Sequence, residues 1–141
     1  MNDIVTGKVQ GIQRCIERAR EEYRLAGNAF RADYSRQDAA VLNITRACEL
    51  AIDLANYMIK TAKMGIPASS AESFELLAAK KVIPGPLEKK MVNMVGFRNV
   101  AIHEYRKLDI EIVETIIQTG LADLIAFADC LMEYLKNAPE S

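Results

Sequence analysis

The segment Ala40–Ile59, AVLNITRACELAIDLANYMI, decides the fold. Its apolar residues Ala40, Val41, Ile44, Ala47, Cys48, Ala51, Ile52, Ala55, Met58 and Ile59 recur three and four apart, which lines one side of a helix and is incompatible with the alternation of a strand. The pattern predicts a long helix from about Arg36 to Lys63, with Ser35 as its N-cap and Met64-Gly65-Ile66-Pro67 as its stop. A stripe this broad must be covered by other elements, and the flanking sequence offers only helices.

Upstream, a helix is predicted from about Asn2 to Tyr23, with Ile4, Ile12, Cys15, Ile16 and Ala19 facing inward and Gly27-Asn28 closing it. Gly7 and Gly11 either weaken this helix or permit close packing. Downstream, Ser69 or Ser70 precedes a short helix through Phe74, Leu76, Leu77 and Ala78, and Pro84-Gly85-Pro86 ends it. A fourth helix starts at about Leu87 and is apolar on nearly all sides apart from Lys89, Lys90, Asn93 and Arg98, so it belongs in the core or in a subunit interface. A fifth, from about Asp109 to Lys136, carries Ile112, Val113, Ile116, Ile117, Leu121, Leu124, Ile125, Ala128, Leu131, Met132 and Leu135, and Ala138 to Ser141 are expected to fray. The fold class is therefore all-α: an antiparallel four-helix bundle with an additional short helix, in one domain spanning 1–141.

Three widely spaced cysteines in apolar helical settings, Cys15, Cys48 and Cys130, read as free buried thiols of a reducing compartment. No Cys/His cluster suggests zinc, and no cofactor motif is present. Met1-Asn2-Asp3-Ile4 does not resemble a signal peptide, and no uninterrupted apolar run approaches the roughly 20 residues that cross a bilayer. These features imply a cytoplasmic protein without a membrane partner. Tyr23, Tyr34, Tyr57 and Tyr134 read as partly buried helix residues, and the six methionines as core filling. Net charge is −1, which argues against binding nucleic acid through overall charge, yet the segment Lys80 to Lys107 carries +5 and the remainder −6. Positive charge gathered in one segment suits a phosphate-binding surface, although lysines on a solvated helix face give the same count.

Within that segment lies Arg98-Asn99-Val100-Ala101-Ile102-His103-Glu104-Tyr105, which holds the chain's one histidine. An arginine offers a planar fork of donors that stays charged, and histidine exchanges a proton near neutrality. Arg98 and His103 thus form a candidate catalytic pair for metal-free cleavage of RNA, with Asn99 and Tyr105 as supporting hydrogen-bonding groups. The alternative is structural: His103 closes the fourth helix and Arg98 pairs with a carboxylate such as Asp38, Glu49 or Asp53 on the second. On an ideal helix Arg98 and His103 point about 140° apart, whereas Arg98 and Tyr105 fall nearly on one line. Convergence requires either that the helix loosens after His103 or that two copies meet across a twofold axis.

The stretch Met91 to Tyr105, MVNMVGFRNVAIHEY, preceded by Ala68 to Pro86, resembles the HEPN toxins of the HEPN/minimal-nucleotidyltransferase toxin–antitoxin systems. Arg98, Asn99, His103 and Tyr105 occupy, in order, the places of that family's arginine, polar residue, histidine and tyrosine. The resemblance implies a HEPN-like helical homodimer whose two motifs meet in an intersubunit cleft and act as a metal-independent endoribonuclease. It also implies a partner, a small nucleotidyltransferase antitoxin that adds AMP to the motif tyrosine, here Tyr105. A second reading within the same resemblance is a non-catalytic helical module that binds nucleotide or a partner and acts with a nucleotidyltransferase.

Overall fold

A computed structural model describes residues 3–137. The chain forms α1 (Asp3–Ala26), α2 (Tyr34–Thr61), α3 (Ser70–Ala79), α4 (Gly85–His103) and α5 (Ile110–Asn137). Short 3-10 turns cover Gly27–Ala29 and Tyr105–Lys107, and no strand occurs among the described residues. Helices α1, α2, α4 and α5 make the antiparallel bundle, while α3 bridges α2 and α4. The expected start at Asn2 and the expected fraying from Ala138 lie outside the described residues.

The stripe of α2 is buried as the spacing requires: Ala40, Ile44, Ala47, Ala51 and Ala55 are fully enclosed. Small residues there let α1 lie close, and Gly11 marks the tightest approach, since a Cβ on it would stand 2.8 Å from Leu50 Cδ1. Gly7, by contrast, faces open space. At the other side of the core Phe74 of α3 meets Phe127 of α5 edge to face, with ring centroids 5.2 Å apart. Full burial of such side chains contributes about 1.5–3 kcal/mol each.

Two expected core positions are half exposed. The inward line of α1 is Val5, Val9, Ile12, Ile16 and Ala19, so Ile4 stands one residue off it. In α5 the core takes Val113, Ile116 and Ile117, and Ile112 is turned toward α4 instead. Tyr34, expected to be partly buried, is 74% exposed at the start of α2. Cys15 and Cys48 are buried free thiols as expected, whereas Cys130 is only partly covered.

Helix starts depart from the sequence reading by a residue or two. Asp33, not Ser35, caps α2 by accepting the Arg36 amide at 3.1 Å. Ser69 caps α3 through the Glu72 amide. The Pro-Gly-Pro element is not wholly outside α4: Pro84 is the N-cap, and Gly85 and Pro86 form the first turn, where a missing amide hydrogen costs nothing. Helix α5 opens on Asp109, which accepts the Glu111 amide, and widens into a π-helical turn at Ile116–Gly120.

Although α5 contains no long uninterrupted apolar run, its 28 residues include a window of mean hydropathy 1.4, enough by length and composition to cross a membrane. Its apolar side is committed to the bundle, with Val113, Ile116, Ile117, Leu121, Leu124, Phe127, Ala128 and Leu131 all buried. Helix α4 is gripped from two sides through Leu87, Met91, Met94, Val95, Phe97 and Ala101, which holds its C-terminal end, and the motif on it, in a fixed place.

Candidate functional site

Arg98 points from α4 toward α2 and α3. One terminal nitrogen lies 3.1 Å from Glu49 Oε1 of α2, and the other donates to the Ser70 hydroxyl of α3 at 3.1 Å. The side chain is only 17% exposed, and its buried Nε has no hydrogen-bond partner. The guanidinium is thus held by two groups, and its one unpartnered donor is enclosed within the protein. Behind it, Ser73 donates to Asn56 at 2.5 Å and stiffens the α2–α3 contact.

His103 is the last residue of α4 and is exposed, with no side-chain hydrogen bond or ion pair among the described residues. The helix stays regular through it, and the Glu104 amide still bonds back to Val100. The separation of about 140° between Arg98 and His103 therefore holds, and one chain does not bring the two groups together. Asn99 is likewise exposed and unbonded through its side chain.

Because the helix ends at His103, Tyr105 leaves the line of Arg98 and sits on the following 3-10 turn. Its hydroxyl donates to the Asp38 carboxylate of α2 rather than to His103. Burial, together with that carboxylate, pushes the phenol up to about 12. Tyr105 and Asp38 line a cleft of about 260 Å³ with Tyr34, Gln37, Val41 and Leu108, and the ring remains 45% exposed. The phenol is accessible to a reagent arriving from solvent.

The structure separates the three candidate carboxylates: Glu49 takes Arg98, Asp38 takes Tyr105, and Asp53 pairs with Lys8. Ser70, considered in the sequence only as a cap, is the partner of Arg98 that spacing did not reveal, because it lies 28 positions away on another helix. Of the basic segment, Lys90 pairs with Asp123 and Lys107 with Glu104, while Lys80, Lys81, Lys89 and Arg106 are exposed. Among the described residues no three His, Cys, Asp or Glu side chains are grouped to hold a metal ion.

A helical bundle with a largely covered arginine and an exposed histidine on one core helix is the arrangement that the resemblance to HEPN toxins implies. Residues 12–131 match the family described as ribonuclease HepT-like, and the chain belongs to that family. It is 41% identical over 131 residues to the mRNA nuclease HepT of Shewanella oneidensis, covering 93% of this chain and 98% of that one. The structure of a tri-AMPylated Shewanella oneidensis HEPN toxin in complex with an MNT antitoxin superposes with a TM-score of 0.90 at 40% identity, over 94% of this chain and 99% of that one. A second toxin–antitoxin structure, with AMP-PNP, gives a TM-score of 0.89 at 39% identity and the same coverage.

Proposed function

We propose that this chain is the toxin of a toxin–antitoxin pair, a metal-independent endoribonuclease that works in the cytoplasm as a homodimer and as one domain. The observation that carries the reading is the Arg98/His103 pair: a guanidinium and an exposed imidazole five residues apart on one rigid helix. The family membership and the nuclease relative support it.

In the proposed reaction His103 accepts the proton of a ribose 2′-hydroxyl and the freed oxygen attacks the adjacent phosphorus. The 5′-oxygen leaves and takes a proton from water, giving a cyclic phosphate and a 5′-hydroxyl. Arg98 stabilises the charge that grows on the phosphoryl oxygens. Since the two groups diverge by about 140° within one helix, each site combines Arg98 of one subunit with His103 of the other. Asn99, exposed beside them, positions substrate.

The partner is a minimal nucleotidyltransferase that adds AMP to Tyr105, as the tri-AMPylated state of the Shewanella toxin supports. The added phosphate, two residues from His103, repels RNA and fills its approach. Chain purified without antitoxin should cut RNA in the presence of EDTA, and Arg98→Ala and His103→Ala should abolish cleavage while helicity persists. Uncut RNA under those conditions refutes the mechanism. The engagement of Arg98 by Glu49 and Ser70 favours a second reading, a non-catalytic module acting with a nucleotidyltransferase. There the motif variants lose binding and no preparation ever cleaves.

A further inference from the structure

The groove between α1 and α2 has a volume of about 410 Å³ and is lined by Glu49, the carboxylate that pairs with the motif arginine. It is also lined by Arg14, Arg18 and Cys15 from α1 and by Arg46 and Leu50 from α2. Arg14 and Arg18 stand one turn apart on the same helix face, with about 5–6 Å between neighbouring Cβ atoms at such spacing. Gly11 gives the groove its depth, since any side chain there would strike Leu50.

Most arginines near carboxylates in this protein use them: Arg24, Arg31, Arg36 and Arg98 each pair with a glutamate. Arg14, Arg18 and Arg46 are exposed, and among the described residues none of the three has an ion pair or side-chain hydrogen bond; Arg20 and Arg106 are exposed and unpaired as well but do not line the groove. The carboxylate on the groove wall, Glu49, is already engaged by Arg98. Three unneutralised guanidinium groups therefore line one concave, partly apolar channel together with the carboxylate that holds the motif arginine.

We propose that this groove binds the phosphodiester backbone of the RNA strand flanking the cleavage position. The inference rests on the ribonuclease reading. Planar guanidinium forks match phosphate oxygens, and the apolar part of the lining accommodates the sugar edge without competing for hydrogen bonds. A chain of net charge −1 has little long-range pull on RNA, so binding rests on local basic surfaces, and the groove adds three arginines to the exposed Lys80, Lys81, Lys89 and Arg106 of the basic segment.

The test uses the full chain carrying His103→Ala, so that RNA is bound but not cut, and a short single-stranded RNA titrated over a range of salt. Replacing Arg14, Arg18 and Arg46 together by Gln should weaken binding at low salt at least about tenfold and flatten the slope of log K against log salt by about 2, since each phosphate contact on a single strand contributes roughly 0.7. Should the triple variant lose helicity, Arg46→Gln alone is measured, with an expected flattening of about 0.7. An unchanged slope overturns the proposal, and so does a variant that keeps its RNA affinity but loses association with the nucleotidyltransferase, which makes the groove a protein-docking surface. Cleavage is assayed separately on the chain with His103 intact. Failure there strikes the ribonuclease reading, whereas cleavage with an unchanged salt slope strikes the groove alone.

Discussion

A phenol that is desolvated and donates to a carboxylate gives up its proton reluctantly, and burial together with Asp38 holds Tyr105 near 12 against the ordinary 10. The folded chain therefore keeps a proton that the unfolded chain releases, so this contact's stabilisation is complete below pH 10 and declines as pH rises toward 12. Asp38→Asn removes the charge, and the difference in stability between wild type and variant should shrink over that interval, as read by denaturant unfolding at successive pH values. A constant difference would show that the two side chains do not interact. Thiols give a second handle at this scale. Burial drives Cys48 up to about 12, whereas Cys130 is partly open at the outer side of α5. Alkylation followed by peptide mass analysis should modify Cys130 well before Cys48, because the thiolate is the reactive form.

Helices reveal how much of the molecule can be read from spacing. The stripe of α2 and the apolar periodicity of α5 located those helices because a period near 3.6 survives individual misassignments. Caps did not read as well: Ser35 and Asp33 are both good capping residues, and only the backbone turn after Phe30 selects Asp33. Asp33→Ala should cost about 1 kcal/mol and Ser35→Ala much less, measurable as a difference in unfolding midpoint. The two glycines of α1 separate in the same way. Gly7→Ala should stabilise by about 0.5–1 kcal/mol, since a methyl there meets nothing, while Gly11→Ala forces Leu50 to move. Long-range polar contacts were the least legible. Tyr23, Arg31, Glu114 and Gln118 join the end of α1 to α5 through bonds of 2.7–3.3 Å, yet they are separated by more than 80 positions in the chain. In the candidate site the motif residues were readable from sequence, but the division of Asp38 and Glu49 between Tyr105 and Arg98 depends on how α2 rotates against α4.

At the scale of the whole molecule, the outer side of α4 borders a groove that reaches α5. Asn93 and Gly96 are exposed and Val100 is half-buried, and with Ile112 of α5, which is 52% exposed, they border a groove of about 280 Å³. His103 falls within about 60° of Gly96 and Val100 around the helix, whereas Arg98 lies on the opposite side. A second copy seated on this side would cover the apolar residues and bring the two imidazoles near the twofold axis, and Arg98 must leave Glu49 and Ser70 to reach the other subunit's imidazole. Two measurements address the arrangement. Val100→Glu should shift the chain from dimer to monomer in sedimentation and remove cleavage, with circular dichroism unchanged. Mixing Arg98→Ala with His103→Ala subunits then asks which chain supplies each group. A mixed dimer rebuilds one composite site from the intact arginine of one subunit and the intact histidine of the other, so statistical mixing should restore about a quarter of wild-type activity. If both groups act from the same chain, neither subunit is whole and the mixture stays as silent as its components.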